Sequence, residues 1–362
     1  MPKSMLERTH PEIGGTIEPT VDPATADRVV CCASELQTAI ESADRNATIY
    51  VRDDAEIDLT SAETIHLPAG VTLASGRGRS DGALVFTDDH QRWLFRSRAP
   101  DVRVTGLRIR GPRTEQFDPR ERPRAAEQYY SCGLHLFGTD PRVDNCELWG
   151  WPHAAIAFGA KDHPITARAD HNTIHHNRME TLGYGVELYD GWARIDANYF
   201  DYNRHAVTAF GHETNGFVAC NNLVGKHPLS HAFDMHRLSE NVTCEDELLA
   251  GKTIRIVRNT VAYTHDTLDR PQEAVDLRGV TAEQSLVDRN WFAHEAPPDS
   301  SRGAAVRQGI DDPFQRLEIG ERNSYGPSPP DDPEIGCRRR NPNGSTTVER
   351  LRSKITASFS GW

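Results

Sequence analysis

Between residues 130 and 310 one short phrase recurs seven times: a small residue, an apolar one, a variable one, a second apolar one, and a second variable position. It reads Gly133-Leu134-His135-Leu136-Phe137, Ala155-Ile156-Ala157-Phe158-Gly159, Gly185-Val186-Glu187-Leu188-Tyr189 and Ala206-Val207-Thr208-Ala209-Phe210. It continues as Ala232-Phe233-Asp234-Met235-His236, Ala274-Val275-Asp276-Leu277-Arg278 and, more weakly, Ala305-Val306-Arg307-Gln308-Gly309. Alternation of period two predicts a strand with one buried and one outward face. Copies at intervals of roughly 20 to 40 residues predict a solenoid in which each copy stacks on the last. Its outward column runs His135, Ala157, Glu187, Thr208, Asp234, Asp276, Arg307.

A second phrase follows each copy, apolar-x-x-Asn-x-apolar. Its asparagines are Asn172, Asn198, Asn221, Asn259, Asn290 and Asn323, with Cys146 in the same place one coil earlier. Asparagine tolerates left-handed backbone angles and bonds its own turn, so one corner of every coil is expected to carry an asparagine ladder. Three short strands and three turns per coil make an all-β, single-stranded, right-handed parallel β-helix.

Ahead of the coils, Ser34-Glu35-Leu36-Gln37 has the form of a capping box. It opens an expected helix over 34–44 with Leu36, Ala39, Ile40 and Ala43 on one face. Such a helix is a suitable lid for the raw end of a solenoid. Strands are expected at 48–51, 64–67, 71–73, 83–86, 93–95 and, as one run, 102–109. Residues 1–33 read as an extended arm, 34–326 as the β-helix, and 327–362 as a tail or cap in which Val348, Leu351 and Ile355 suit a helix. Insertions at 111–131, 237–252 and 262–273 adjoin the ends of the groove strand, where they would wall a cleft. The first carries Arg113, Arg120, Arg122, Arg124, Tyr129 and Tyr130.

In its lid helix, coil period and asparagine corner, the chain resembles the pectate-lyase-like β-helix superfamily of carbohydrate-active proteins over residues 34–326. That superfamily holds lyases, hydrolases, esterases, epimerases and non-catalytic phage spikes, so the resemblance implies a glycan ligand without fixing a reaction.

The 362-residue chain has a net charge of -12, which argues against nucleic acid as a partner, because phosphate neutralisation needs a basic face. It has no apolar run of about 18 residues, the length of a membrane span. No secretory h-region opens the chain, so the expected location is cytoplasmic or, with a leader absent, secreted. Seven cysteines, odd in number and scattered apart from Cys31-Cys32, predict no disulfide framework.

Stacked strands lie ~4.8 Å apart, so Asp234 and Asp276 are expected on neighbouring rungs and Glu187 two rungs from Asp234, with Thr208 between. Tyr189, Phe210, His236 and Arg278 share the adjacent column. Two stacked aspartates repel, which stability alone would not select. The small residues Gly185, Ala206, Ala232 and Ala274 are expected to leave room for a ligand. Two mechanisms suit the set. In β-elimination on a uronic-acid glycan, Glu187, Asp234 and Asp276 would hold Ca²⁺. Calcium and Arg278 would neutralise the substrate carboxylate, His236 or an arginine would take the adjacent proton, and Tyr189 would protonate the leaving oxygen. An order of acidic coils followed by arginine coils resembles the calcium-dependent lyases of the superfamily, although no lysine lies on the groove strands. In glycoside hydrolysis, Glu187 and Asp234 are spaced for inversion, and Asp234 and Asp276 more nearly for retention. An aspartate esterase beside Arg278 and a non-catalytic glycan-binding β-helix are further alternatives. His135, Thr208, Phe210, Arg307 and His212 are candidate substrate contacts. His205 and His231 stand at corners where a structural role is equally expected, and His171, His175 and His176 read as a polar surface away from the cleft.

Overall fold

The helix that closes the first coil, α1 (Ala33–Glu41), starts one residue before the expected box, with Cys32 at the N-cap position and no side-chain bond from it to the helix backbone. Glu35, on the third helical residue, reaches back to the backbone N–H of Cys31 at 2.9 Å. Leu36, Ala39 and Ile40 are buried, so the amphipathic face does cover the first strands. The computed structural model describes residues 13–15, 21–112, 130–160, 163–177, 179, 181–240, 247–264 and 272–337.

Beyond α1 the described residues form three parallel sheets of 11, 10 and 9 strands, each strand pairing with its counterpart one coil away. One coil is Ile165–Asp170, Thr173–His175 and Tyr184–Leu188, and the next is Gly191–Asp196, Tyr199–Asp201 and His205–Ala209. This is the parallel β-helix that the two repeated phrases predict. The run expected over 102–109 divides into Arg103–Thr105 and Arg108–Arg110, which belong to different sheets. Gly106, at φ +71°, makes the turn between them, a left-handed angle that suits a residue without Cβ.

The nine-stranded sheet, from Ile65–His66 to Val306–Gln308, contains all seven copies of the first phrase. Its inward residues, among them Leu134, Ile156, Val186, Val207, Phe233 and Val275, are fully buried in one continuous core. Each such side chain contributes about 1.5–3 kcal/mol relative to exposure.

Strict alternation fails at one point in every copy. Ala206, Ala232 and Ala274, expected with Gly185 beside a ligand, lie in the interior core together with the apolar residue that follows them, as do Ala155 and Ala305, and a Cβ on Gly185 would meet the core ring of Phe200. The backbone N–H groups of Ala232 and Phe233 both donate to the carbonyl of Ala274, at 3.0 and 2.9 Å. Two donors on one acceptor mark a bulge-like break of the pleat, and a small side chain is what the crowded inner corner accepts. The break reverses parity, so the residue before the small one (Tyr184, His205, His231, Glu273) comes out on the groove side.

The asparagine ladder runs through Asn172, Asn198, Asn222, Asn259, Asn290 and Asn323. Each side-chain oxygen accepts the backbone N–H of the asparagine one coil earlier, and each amide from Asn172 to Asn290 donates to the next oxygen, at 2.9–3.0 Å. Cys146 begins the series by donating its N–H to Asn172 at 2.9 Å. The left-handed residue is the one before the ladder, however: Asn145, His171, Ala197, Asn221, Arg258 and Arg289 all have φ between 55° and 60°. A shorter ladder joins Asn177 to Asn203 at 2.8 Å.

Both described ends of the chain lie on the ten-stranded sheet. Ile13 and Cys337 pack with Tyr199 and Leu223. The Gly14 carbonyl accepts from Arg77 at 2.8 Å and Thr173 at 2.7 Å. The helix expected around Val348, Leu351 and Ile355 falls outside the described residues, as do Arg113, Arg120, Arg122, Arg124 and Tyr129 of the first insertion.

Candidate functional site

Glu187, Thr208, Asp234, Asp276 and Arg307 occupy successive rungs of the nine-stranded sheet in the expected register. They leave the sheet on the side away from the core, yet Glu187, Thr208, Asp234 and Asp276 are buried. Alternation fixes the side of a strand and says nothing about how tall its neighbours are. Long arginine and aromatic side chains from adjacent columns fold over the acids. Each carboxylate therefore meets imidazole or guanidinium rather than water.

Glu187 is paired with His153, a corner residue just before the strand Ala154–Phe158. His153 Nε2 lies 2.9 and 2.8 Å from the two carboxylate oxygens and donates to them. The other ring nitrogen, Nδ1, is buried with no hydrogen-bond partner. The pair borders a small pocket lined by Arg92, Trp93, Tyr130, Cys132, Ala157 and Tyr189 as well. Burial, with the Glu187 charge adding to it, holds the Tyr189 phenol above its ordinary range, so it stays protonated at neutral pH. Tyr189 stacks on Phe210 with ring centres 4.3 Å apart, and Phe210 is 6.3 Å from His236.

Asp234 is gripped by Arg278 from the next coil, Nε to Oδ1 at 2.9 Å and Nη2 to Oδ2 at 2.7 Å. His236 Nε2 lies 3.1 Å and His205 Nε2 3.4 Å from the same carboxylate. Burial opposes ionisation of Asp234, but His236, Arg278 and His205 outweigh it and hold the acid well below its usual range. Burial likewise opposes protonation of His236, and the Asp234 charge outweighs it, raising the imidazole to about 9. Arg278 and His236 also contact Glu240, at 3.0 and 3.3 Å. At neutral pH, Arg278 and His236 are thus two cations over one buried anion.

Asp276 accepts from Arg307 Nη1 at 2.8 Å through Oδ1. Its Oδ2 lies 3.4 Å from His231 Nε2 and 3.7 Å from Arg278 Nε. Burial raises the Asp276 pKa, and the charge of Asp234 adds to this against the pull of His231 and Arg307. Glu273 faces the other nitrogen of His231, Nδ1, at 3.0 Å.

This pairing bears on the expected calcium ligands. Calcium takes six to eight oxygens in one cage. Here Glu187 is closed by His153, Asp234 by Arg278 and His236, and Thr208 separates the two. The donor atoms of Glu187, Asp234 and Asp276 do not converge, and a cation at Asp234 would have to displace a bidentate arginine. Among the described residues, the single group of three possible ligands with donor atoms within 4.8 Å of one another is His231, Glu273 and Asp276.

His135 lies buried between Trp93 and Phe137, with ring centres 5.3 and 4.8 Å away, and its Nε2 is 3.1 Å from the Gly159 carbonyl. Burial lowers it to about 4, so it is a neutral spacer in an aromatic stack that Arg96 and Arg98 flank over Trp93 and Phe137. His212 closes a turn with Asn215 past the groove strand. His171 contacts Asp170, and His175 contacts Glu147 and His176, all outside the groove sheet.

His153, Glu273, Arg92 and Arg302 are members of this face that the repeat did not single out, and His205 and His231 are drawn into it from undecided positions. A readable signal existed for three of them: His205, His231 and Glu273 each directly precede the small residue of a copy. No protein-family model matches the chain, and no curated protein matches it.

Proposed function

We propose that the groove cleaves a uronic-acid-containing glycan by β-elimination, in keeping with the resemblance to pectate-lyase-like β-helices. The observation that carries this reading is the pocket where Arg92, the His153–Glu187 pair and Tyr189 meet. β-Elimination needs a cation to neutralise the uronate carboxylate, a base for the proton on the adjacent carbon, and an acid for the departing glycosidic oxygen. Arg92 suits the first task, His153 the second and Tyr189 the third. Glu187 bonded to Nε2 fixes the His153 tautomer, leaving Nδ1 as the lone-pair nitrogen. The raised phenol pKa keeps the Tyr189 proton in place until negative charge develops on the leaving oxygen. His236, cationic at neutral pH, is suited to hold an anion rather than to take the proton. Along the groove, Arg96, Arg98, Arg278, Arg302 and Arg307 give an acidic protein a basic strip for an acidic polymer, with no calcium required.

The test is an assay on a panel of uronic-acid polysaccharides, with and without EDTA. Ultraviolet absorbance of a new unsaturated uronate supports elimination. New reducing ends without that absorbance reject it. EDTA sensitivity would restore the calcium-assisted form of the reaction.

Glycoside hydrolysis is the second reading, and one observation favours it. Asp234 and Asp276 sit on adjacent rungs with their pKa values driven apart, one down and one up. Neutral as well as acidic glycans would then be cut, and Tyr189 would be dispensable.

A further inference from the structure

We infer that Arg96 and Arg98, adjoining Arg92 of the pocket, form a second oxyanion-binding subsite, so that the substrate carries anionic groups on several sugars rather than one. The oxyanion is a uronate carboxylate or a sulfate ester. That a glycan presents it rests on the reading of the groove given above. Trp93, His135 and Phe137 stack along this part of the groove, with the His135 ring 5.3 Å from the first and 4.8 Å from the second. The Arg96 guanidinium lies 4.0 Å from the centre of Trp93 and 4.9 Å from that of Phe137. Arg92 lies over Trp93 at 4.4 Å and Arg98 over Phe137 at 5.3 Å. Three cations therefore share one strip of rings. Arg92 and Trp93 also line the pocket, so the strip continues it. Arg96 stands in the column of Glu187 three rungs earlier, about 14 Å along the axis, a length that several linked sugars span.

What these arginines lack is an acid, in a chain where 53 acidic residues outnumber 41 basic ones. Among the described residues, none of the three forms an ion pair or donates a side-chain hydrogen bond. Arg103, Arg142 and Arg278, by contrast, each hold an aspartate, at 2.7, 3.0 and 2.7 Å. A second observation is separate from the first. Arg96 Nε is buried with no hydrogen-bond partner, a state that native interiors seldom leave unexplained. Burial lowers the Arg96 pKa, and the charges of Arg98 and Arg92 add to this with no acid to offset them. Stacking engages the flat face of a guanidinium and leaves its N–H rim free. That rim is what grips an oxyanion in paired hydrogen bonds. One arginine would suffice to cover the rings, whereas three repel one another until an anion joins them.

The test is binding to the whole chain, measured by calorimetry in the Tyr189→Phe background so that the ligand is not consumed. The probes are tetragalacturonate, its fully methyl-esterified form and a chondroitin sulfate tetrasaccharide. Saturable binding of at least one acidic probe is expected, and the tighter of the two names the oxyanion. The methyl ester should bind about tenfold more weakly or worse. Arg96→Gln and Arg98→Gln should each weaken the acidic ligand about 10- to 100-fold, the worth of a hydrogen bond to a charged group. Added salt should shrink that difference. Arg255→Gln, at an exposed arginine of the eleven-stranded sheet, should leave binding unchanged. Circular dichroism and melting temperature verify that each variant is folded, and Arg98, being exposed, serves where Arg96→Gln unfolds. No binding of either acidic probe, a methyl ester as tight as the acid, or undiminished binding in both variants would each overturn the inference. Failure of the elimination reading looks different: no unsaturated product from any uronate, with arginine-dependent binding intact.

Discussion

Arg278 and Asp234 face each other across one rung with two parallel hydrogen bonds, at 2.9 and 2.7 Å, the fork geometry that a guanidinium and a carboxylate share. Asp234 is fully buried, and it came from a column that alternation assigned to the open face. Removing the guanidinium leaves an anion with only imidazole partners. Arg278→Ala is therefore expected to destabilise the fold by about 3 kcal/mol or more. Arg278→Lys should recover part of that, since an amine keeps the charge and loses the fork. Chemical denaturation of both variants checks the order. Asp234→Ala should also lower the melting temperature, so lost activity in that variant alone is no proof of catalysis.

His236 gives the pH dependence a sign. Its pKa is raised by folding to about 9, above the unfolded value near 6.5. A raised imidazole contributes stability that is fully present below the unfolded value and is lost as pH rises through the folded one. Stability should fall between about pH 6.5 and pH 9, by at most about 3 kcal/mol. His236→Gln should flatten that limb in denaturation curves taken across the window. Asp234 acts at the acid end, where its lowered pKa contributes stability that is lost as pH falls through it.

Tyr189→Phe keeps the ring that stacks on Phe210 and removes only the hydroxyl. If the phenol is the acid, turnover on the best uronate substrate should drop by about 10²–10⁴, with an unchanged melting temperature. His153→Ala should give a comparable loss. Full activity in either variant would remove that residue from the mechanism.

Asn222 accepts from the Asn198 backbone and amide and donates to Ile195 and Asn259, four bonds in the interior of the ladder. At about 1 kcal/mol per bond, Asn222→Ala should cost about 3–5 kcal/mol. Asn323→Ala, at the last coil, also loses four bonds, but at a partly exposed position where water can replace them, and should cost less. Melting temperatures of the two variants test the difference.

The repeat made the coil, the nine-stranded sheet and the rung order of Glu187, Asp234 and Asp276 readable from residues alone, because a period-two pattern constrains which residues can share a side. It did not reveal the break at Ala206, Ala232 and Ala274. A bulge costs only a small residue, and a small residue also reads as space for a ligand. With parity reversed there, His205, His231 and Glu273 reached the groove unannounced. His153 was harder still, since it sits on a turn, where no period applies. The burial of the acids was equally hidden. It depends on arginines from neighbouring coils lying over them, a relation between residues about 30 to 45 positions apart.

Successive ladder asparagines are separated by 26, 24, 37, 31 and 33 residues, yet every rung closes with a bond of 2.9 or 3.0 Å. Chain length between corners is therefore decoupled from alignment: whatever is spliced into a connection, the next asparagine resets the coil before the groove strand begins. The walls of the cleft are free to diversify or to accept grafted loops, while the side chains beneath them keep their places.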